Sequence, residues 1–358
     1  MTTQSNKLDF SGQNIYAGFD VHKKDWRVTL MSDNLMLKTF TQPPKPKVLF
    51  QYLKKNFPGA TYYSAYEAGF CGYWIHNELI ALGINSIVVN PADIPTTHKE
   101  KVQKEDSRDS RKIARSLRSG ELKGIYVPSV KSLENRGLMR MRGTLVKDVT
   151  RNKSRVKSFL NLHGIDLPSI FEKSGTHWSK RFFDWLDQIE MSESSGKETL
   201  HILTSNTRYL RESLMRLTKQ IRALSRTELY ADDIKLLMSI PGIGLITAME
   251  IITEIETISR FKNSEHFCSF IGLIPSTHST GDNEGVGDIT PRGNSFLRPT
   301  IIESAWTAAR HDPALIKCYH HYCQRMESNK AIIRIAKKLA NRIHFVLRNK
   351  KPYEYAIN

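Results

Sequence analysis

From Ile15 onward, apolar positions alternate with polar ones in short runs, and the runs break at places rich in turn-forming residues. Ile15 to Val21, Trp26 to Met31 and Met36 to Phe40 each carry the two-residue period of a pleated strand. The first two are joined by the polar His22-Lys23-Lys24-Asp25, which predicts a turn and so a meander at the start. Helical spacing covers Pro46 to Asn56. A strand at Tyr62 to Tyr66, a helix from Tyr73 to Leu82 and a strand at Ser86 to Val89 follow, the last ending in Asn90-Pro91. The predicted order is βββαβαβ, closed by a helix from about Asp106 to Leu117.

That order is the ribonuclease-H-like α/β arrangement, in which the first strand, the fourth strand and a late helix converge on one end of a mixed sheet. Four carboxylates fall on those three elements: Asp20 in Ala-Gly-Phe-Asp-Val-His, Glu67 in Ser-Ala-Tyr-Glu-Ala-Gly, and Asp106 with Asp109 in Glu-Asp-Ser-Arg-Asp-Ser-Arg-Lys. On a helix the i, i+3 spacing puts both aspartates on one face. Helix capping and the helix dipole, worth about 1 kcal/mol, explain that pair without any chemistry. They do not explain Asp20 and Glu67. Four such groups brought together repel one another unless a cation neutralises them, and all-oxygen ligands suit Mg²⁺ or Mn²⁺.

From Ser132 to about Arg226 the chain turns polar, charged and helical, with a break around Gly164 to Pro168 and a soft Ser-Glu-Ser-Ser-Gly at 192–196. Leu203, Leu210, Leu214, Leu217, Ile221 and Leu224 form a heptad seam. It predicts an extended spacer, either an intramolecular helical hairpin or a self-associating coiled coil. Next comes Ser239-Ile-Pro-Gly-Ile-Gly between apolar helical runs, the pattern of a helix-hairpin-helix. Gly242 and Gly244 would let backbone N–H groups approach a DNA phosphate without an obstructing side chain. An interhelical turn gives the same pattern. A loop dense in hydroxyls, Phe270 to Gly281, precedes Asp288-Ile-Thr-Pro-Arg-Gly-Asn294 and Leu297-Arg298. Arg292 and Arg298 are candidate phosphate contacts, since guanidinium binds phosphate bidentately, or else helix-end structural arginines. A hydroxyl beside such groups is the equipment for phosphoryl transfer to protein.

Charge narrows the partners. The 358 residues carry 53 Lys and Arg against 36 Asp and Glu, and residues 91–160 alone hold 18 against 8, a surplus that surrounds Asp106 and Asp109. A field of this sign attracts polyanions, nucleic acid first, and the absence of a long apolar run argues against a membrane span. Four cysteines, and a polar N-terminus without a signal-peptide pattern, point to a reducing cytoplasm rather than a disulfide framework. Cys318-Tyr-His-His-Tyr-Cys323 lacks the second knuckle of a structural zinc site and is expected on a helix.

Taken in order, these motifs resemble the DEDD transposases of bridge-RNA insertion sequences, insertion-sequence family 110, over nearly the whole chain. Gly-Phe-Asp-Val-His-Lys-Lys, Tyr-Glu-Ala-Gly, Asn-Pro-Ala and Lys-Glu-Asp-Ser-Arg-Asp-Ser-Arg-Lys-Ile-Ala resemble that family's RuvC-like domain. Ser-Ile-Pro-Gly-Ile-Gly, Phe-Ile-Gly-Leu-Ile-Pro, Ile-Thr-Pro-Arg-Gly-Asn, Leu-Arg and Ile335-Ala-Lys-Lys-Leu-Ala340 resemble its transposase domain. The resemblance implies a metal-binding tetrad of Asp20, Glu67, Asp106 and Asp109, and a C-terminal serine that joins covalently to DNA. It also implies donor and target DNA, guidance by a non-coding bridge RNA, and a homo-oligomer, dimer or tetramer. The family's serine stands directly before the loop glycine. Here that place is Thr280, with Ser279 one step earlier, so either hydroxyl is the candidate nucleophile. The expected organisation is a RuvC-like domain over 1–130, a helical or coiled-coil connector over 131–230, and a mainly α transposase domain over 231–358. The rival readings are a RuvC-like junction nuclease that needs no protein nucleophile and a non-catalytic nucleic-acid-binding protein.

Overall fold

The computed structural model describes residues 9–95, 106–280 and 283–355; the side chains at 106–108 and 276–288 lie outside that description. The chain divides into two compact units, Met1–Val127 and Pro128–Asn358.

In the first unit, strands β1 (Asn14–Val21), β2 (Trp26–Ser32) and β3 (Met36–Gln42) form the expected meander. Helix α1 (Pro46–Asn56), β4 (Thr61–Glu67), α2 (Trp74–Ala81), β5 (Asn85–Val89) and α3 (Asp106–Arg118) complete it. The sheet order is β3-β2-β1-β4-β5, with β1 antiparallel to β2 and parallel to β4. This is the ribonuclease-H-like order that the alternation predicts. Odd-numbered positions of β1 face α1 and α2: Ile15, Ala17 and Phe19 join Leu49, Leu53, Ile75 and Leu79 in one core, where Phe19 stacks against both Trp26 and Tyr66. Burying each of the Ile, Leu and Phe side chains contributes about 1.5–3 kcal/mol, enough to fix which face of the sheet turns inward.

The opposite face is covered by α3, whose sequence is mostly charged. It reaches the sheet through small residues. A β-carbon at Gly18 would lie 2.1 Å from the Ala114 backbone nitrogen and 2.5 Å from the Ser110 carbonyl oxygen, and the Ser110 and Thr29 hydroxyls are 2.9 Å apart. Ile113 adds an apolar anchor beside Ala65, Val89 and Ile94.

The second unit opens with the 33-residue helix α4 (Val130–Leu162), capped by Ser129, whose hydroxyl accepts from the Ser132 N–H. After α5 (Lys180–Gln188), helix α6 (Ser194–Leu224) packs along α4, so the heptad seam builds a helical pair within the chain. The seam centre differs from the leucine spacing. Leu200, Thr204, Thr207 and Ile221 are buried, whereas Leu203, Leu210, Leu214 and Leu217 are half-buried. The reason is polar: Asn152 of α4 is buried and donates to the Thr207 hydroxyl (2.6 Å) and the Leu203 carbonyl (2.8 Å), so the threonine face turns inward to satisfy it. The Ser-Glu-Ser-Ser-Gly stretch is only partly a break, because Ser194 to Gly196 form the first turn of α6.

Helices α7 (Ala231–Met238), α8 (Leu245–Ile255), α9 (Ser264–Ile271), α10 (Leu297–His311), α11 (Pro313–Cys323) and α12 (Ser328–Asn349) share one core. The Ile335-Ala-Lys-Lys-Leu-Ala340 motif is its spine: Ile335, Ala336, Leu339 and Ala340 are fully buried on one stripe of α12. Cys318 and Cys323 lie on α11 as free thiols. The hydroxyl-rich segment is not a loop, and this part of the chain is not helical throughout: β6 (Pro275–Thr280) and β7 (Asn283–Ile289) pair antiparallel. Its β-branched Thr277, Thr280, Val286 and Ile289 favour a pleated backbone, but the near absence of apolar alternation hides the strands. Among the described residues no helix is long and apolar enough to cross a membrane.

Candidate active site

Asp20 and Glu67 come together through strand register. Phe19 pairs with Tyr66 in the parallel β1–β4 ladder, so the next step places Asp20 beside Glu67, on strands about 4.8 Å apart. Both follow the even-position face of β1, the face of Gly18 that α3 covers. Asp109 lies on α3, directly before the Ser110 that touches Thr29, and is half-buried with Lys112 Nζ 3.6 Å away. The Asp106 side chain lies outside the described residues. Among the described residues no three His, Cys, Asp or Glu side chains stand close enough to hold a metal ion together. The structure therefore juxtaposes two members of the expected tetrad and puts the helix of the other two across the same face.

The residues present fit a hard divalent cation: the donor set is entirely carboxylate oxygen, and two adjacent carboxylates at strand ends favour a positive charge between them. His22 is a neighbour that the sequence reading passed over, with Nε2 3.1 Å from Asp20 Oδ2. So is Arg27, which pairs with Asp20 across β1–β2 and donates to the Thr41 hydroxyl at 2.6 Å.

Ser279 and Thr280 lie at the turn end of the β6–β7 hairpin, opposite Glu284 and Asn283; their side chains lie outside the described residues. Arg292 is exposed. Arg298 is half-buried, and its guanidinium donates to the main-chain carbonyls of Ile271 and Arg292. That is the helix-end structural alternative. The Ser239–Gly244 turn connects α7 and α8 as expected, but its two glycines differ. Gly242 has φ +88°, and a β-carbon there would sit 2.5 Å from the Ser304 carbonyl oxygen of α10, so its lack of a side chain serves helix packing. Gly244 caps α8 with open space around it.

One charged cluster escaped the sequence reading altogether. Glu254 of α8 is buried, at 2% exposure, yet accepts from Arg140 of α4 (2.7 and 3.0 Å) and from the Asn294 side chain (2.9 Å). One turn earlier, burial raises the Glu250 carboxyl above its ordinary range, more than the Thr300 hydroxyl bond lowers it. A raised folded-state pKa means that ionisation opposes folding as pH rises through the carboxylate range. Glu250→Gln is therefore expected to give a small gain in stability at neutral pH that disappears below the unfolded carboxyl's range. Urea unfolding of both proteins at pH 7 and pH 3.5 measures it, and equal stability at pH 7 would argue against the burial effect.

The chain is similar to known transposases. The model of a DEDD-type transposase domain of IS110 elements matches residues 17–165, and that of the transposase IS116/IS110/IS902 family matches residues 234–320. The transposase for insertion sequence element IS1533 of Leptospira borgpetersenii is 25% identical over 94% of this chain and 97% of its own length. The transposase for IS1111A of Coxiella burnetii is 25% identical over 68% of this chain and 64% of its own. A candidate transposase of Sinorhizobium fredii, y4qE, is 30% identical over 71% of this chain, and the chain spans 60% of that relative.

Proposed function

Because the chain belongs to the IS116/IS110/IS902 family of transposases, we propose that it is an RNA-guided DNA recombinase of an insertion sequence that cuts and rejoins strands through a covalent protein–DNA intermediate. The observation that carries the proposal is the β1–β4 register, which ends at Phe19–Tyr66 directly before Asp20 and Glu67, on the sheet face covered by α3, the helix that bears Asp106 and Asp109. In this reading the four carboxylates hold Mg²⁺ or Mn²⁺. When bound, such an ion supplies Lewis-acid stabilisation of the charge that builds on non-bridging phosphate oxygens. The carboxylates fix where the scissile phosphate rests. The hydroxyl of Ser279 or Thr280 attacks phosphorus, forming a protein O–P bond while the P–O bond to the departing deoxyribose oxygen breaks. The attacking hydroxyl releases its proton to solvent and the departing oxygen takes one up. Reversal on a second strand restores the hydroxyl and completes exchange.

The nucleic-acid part of the reading is supported by charge. Lys147, Arg151 and Arg155 are exposed one turn apart on α4, a spacing of about 6 Å that suits successive backbone phosphates. Donor and target DNA, a bridge RNA and a dimer or tetramer complete the assembly as the family resemblance implies it.

Trapping decides the mechanism. The protein expressed with the RNA encoded beside its gene, mixed with element-end DNA and Mg²⁺ and quenched in denaturant, is expected to yield a protein–DNA adduct. Ser279→Ala and Thr280→Ala are expected to differ, one of them abolishing the adduct. Metal-dependent cleavage without any adduct would indicate the hydrolytic nuclease instead, and no cleavage at all the binding protein.

A further inference from the structure

We infer that Asn294 and Glu254 are positioning residues that aim the β6–β7 hairpin, an inference that rests on the proposed role of its hydroxyls. Both ends of the hairpin enter one knot. Thr290 N–H donates to the Ile274 carbonyl at 2.9 Å, closing the base. Beneath it, Gly293 is pressed against the end of α9: a β-carbon there would lie 2.6 Å from both the Gly272 Cα and the Ile271 carbonyl oxygen. Arg298 ties the Ile271 and Arg292 carbonyls together across the same gap.

Asn294 is the centre of the knot, and its main-chain carbonyl accepts from the Arg298 N–H (3.0 Å). Its N–H donates to the Phe270 carbonyl (2.8 Å), its Oδ1 accepts from the N–H groups of Phe296 (2.9 Å) and Leu297 (3.0 Å), and its Nδ2 donates to Glu254 Oε2 (2.9 Å). Glu254 is in turn gripped by the Arg140 fork, whose guanidinium also lies 4.1 Å from the centre of the Phe296 ring. Arg136 adds bonds to the carbonyls of Thr253 and Glu254, both at 3.1 Å. A buried carboxylate gripped in this way is no more stable than a well-packed apolar group. What it provides is direction, because the fork and the amide accept one orientation only.

The hairpin amplifies that direction. From Pro275 to Thr280 the strand extends about 17 Å, so a tilt of roughly 10° at the base displaces the far end by roughly 3 Å. A misplacement of about 1 Å can cost about 10²-fold in rate. The chain from Arg140 on α4 through Glu254 to Asn294 thus sets where the far end of the hairpin lies.

Asn294→Asp keeps the acceptor for the Phe296 and Leu297 N–H groups but sets a second carboxylate against Glu254. It is expected to slow adduct formation at least ~30-fold and to speed amide exchange in residues 275–280 and 283–289, with DNA affinity within about threefold. Adding Glu254→Gln returns a donor to the new carboxylate, with the pair's net charge unchanged. The double variant is expected to form adduct faster and to exchange more slowly than N294D, short of wild type because the new amide nitrogen meets the Arg140 Nη2 from which Glu254 Oε2 accepts, a rescue that general destabilisation would not give. If N294D fails to fold, Arg140→Lys, which keeps the charge and loses the fork, is read in the same two ways and is expected to loosen the hairpin. Wild-type exchange and rate in N294D, or a double variant no better than N294D, would overturn the inference. A wild-type protein that forms no adduct would defeat the proposed function alone, and hairpin exchange would then judge the knot by itself.

Discussion

Asp20→Asn is expected to lower metal-dependent cleavage and adduct formation by roughly 10³ or more while leaving the fold and nucleic-acid binding intact. Asparagine keeps the size of the side chain and an oxygen for His22, which stands 3.1 Å from the native carboxylate. The loss is one negative charge at the residue that follows the Phe19–Tyr66 pair, where Glu67 follows on the neighbouring strand. Electrostatic stabilisation by a bound divalent cation is worth several kcal/mol, and 1.36 kcal/mol corresponds to a decade in rate. Single-turnover cleavage over a Mg²⁺ titration, beside circular dichroism, reads the effect. Exchange at the wild-type rate would remove Asp20 from the chemistry and with it the reading of the carboxylate set.

The second large effect is structural. Gly18→Ala would put a methyl 2.1 Å from the Ala114 nitrogen, 2.5 Å from the Ser110 oxygen and 2.6 Å from the Ala114 Cα. All three are backbone atoms, so no rotamer change relieves the contact and α3 must move bodily off the sheet. The expected cost is about 3 kcal/mol or more, at the upper end for overpacking, with loss of the Ser110–Thr29 hydroxyl contact and displacement of the helix that carries Asp106 and Asp109. Gly244→Ala is the matched control, since nothing lies within 4 Å of its added carbon, and it should cost less than about 1 kcal/mol. Denaturant unfolding of the two variants separates them; equal stabilities would show that α3 yields freely.

Much of the first unit is legible in the chain because one regularity sets several things at once. The two-residue period that marks β1 and β4 also decides which side chains share a face, so Asp20 and Glu67 become neighbours as soon as the two strands are paired. Long-range fits leave no such trace. Gly242 reads as a turn glycine, and only the folded chain reveals α10 against it. Arg298 reads equally as a phosphate contact or a helix-end structural arginine, and only the folded chain reveals the carbonyls of Ile271 and Arg292 beside it. Glu254 stands among apolar neighbours in Ile-Ile-Thr-Glu-Ile, where a carboxylate looks like the wet side of a helix; its arginine partner lies 114 positions earlier. The β6–β7 hairpin stays hidden because hydroxyls and glycines occupy the places where an alternating apolar signal would be.

The amide of Asn152 in the α4–α6 seam bears on protein engineering. A helical pair lined only with aliphatic groups can slide by one heptad at little cost, but here sliding would strand a buried amide away from the Thr207 hydroxyl and the Leu203 carbonyl. Chimeras that transplant this arm into a related recombinase should keep its length and orientation if Asn152 and Thr207 travel together, and should lose their alignment if only one of them does.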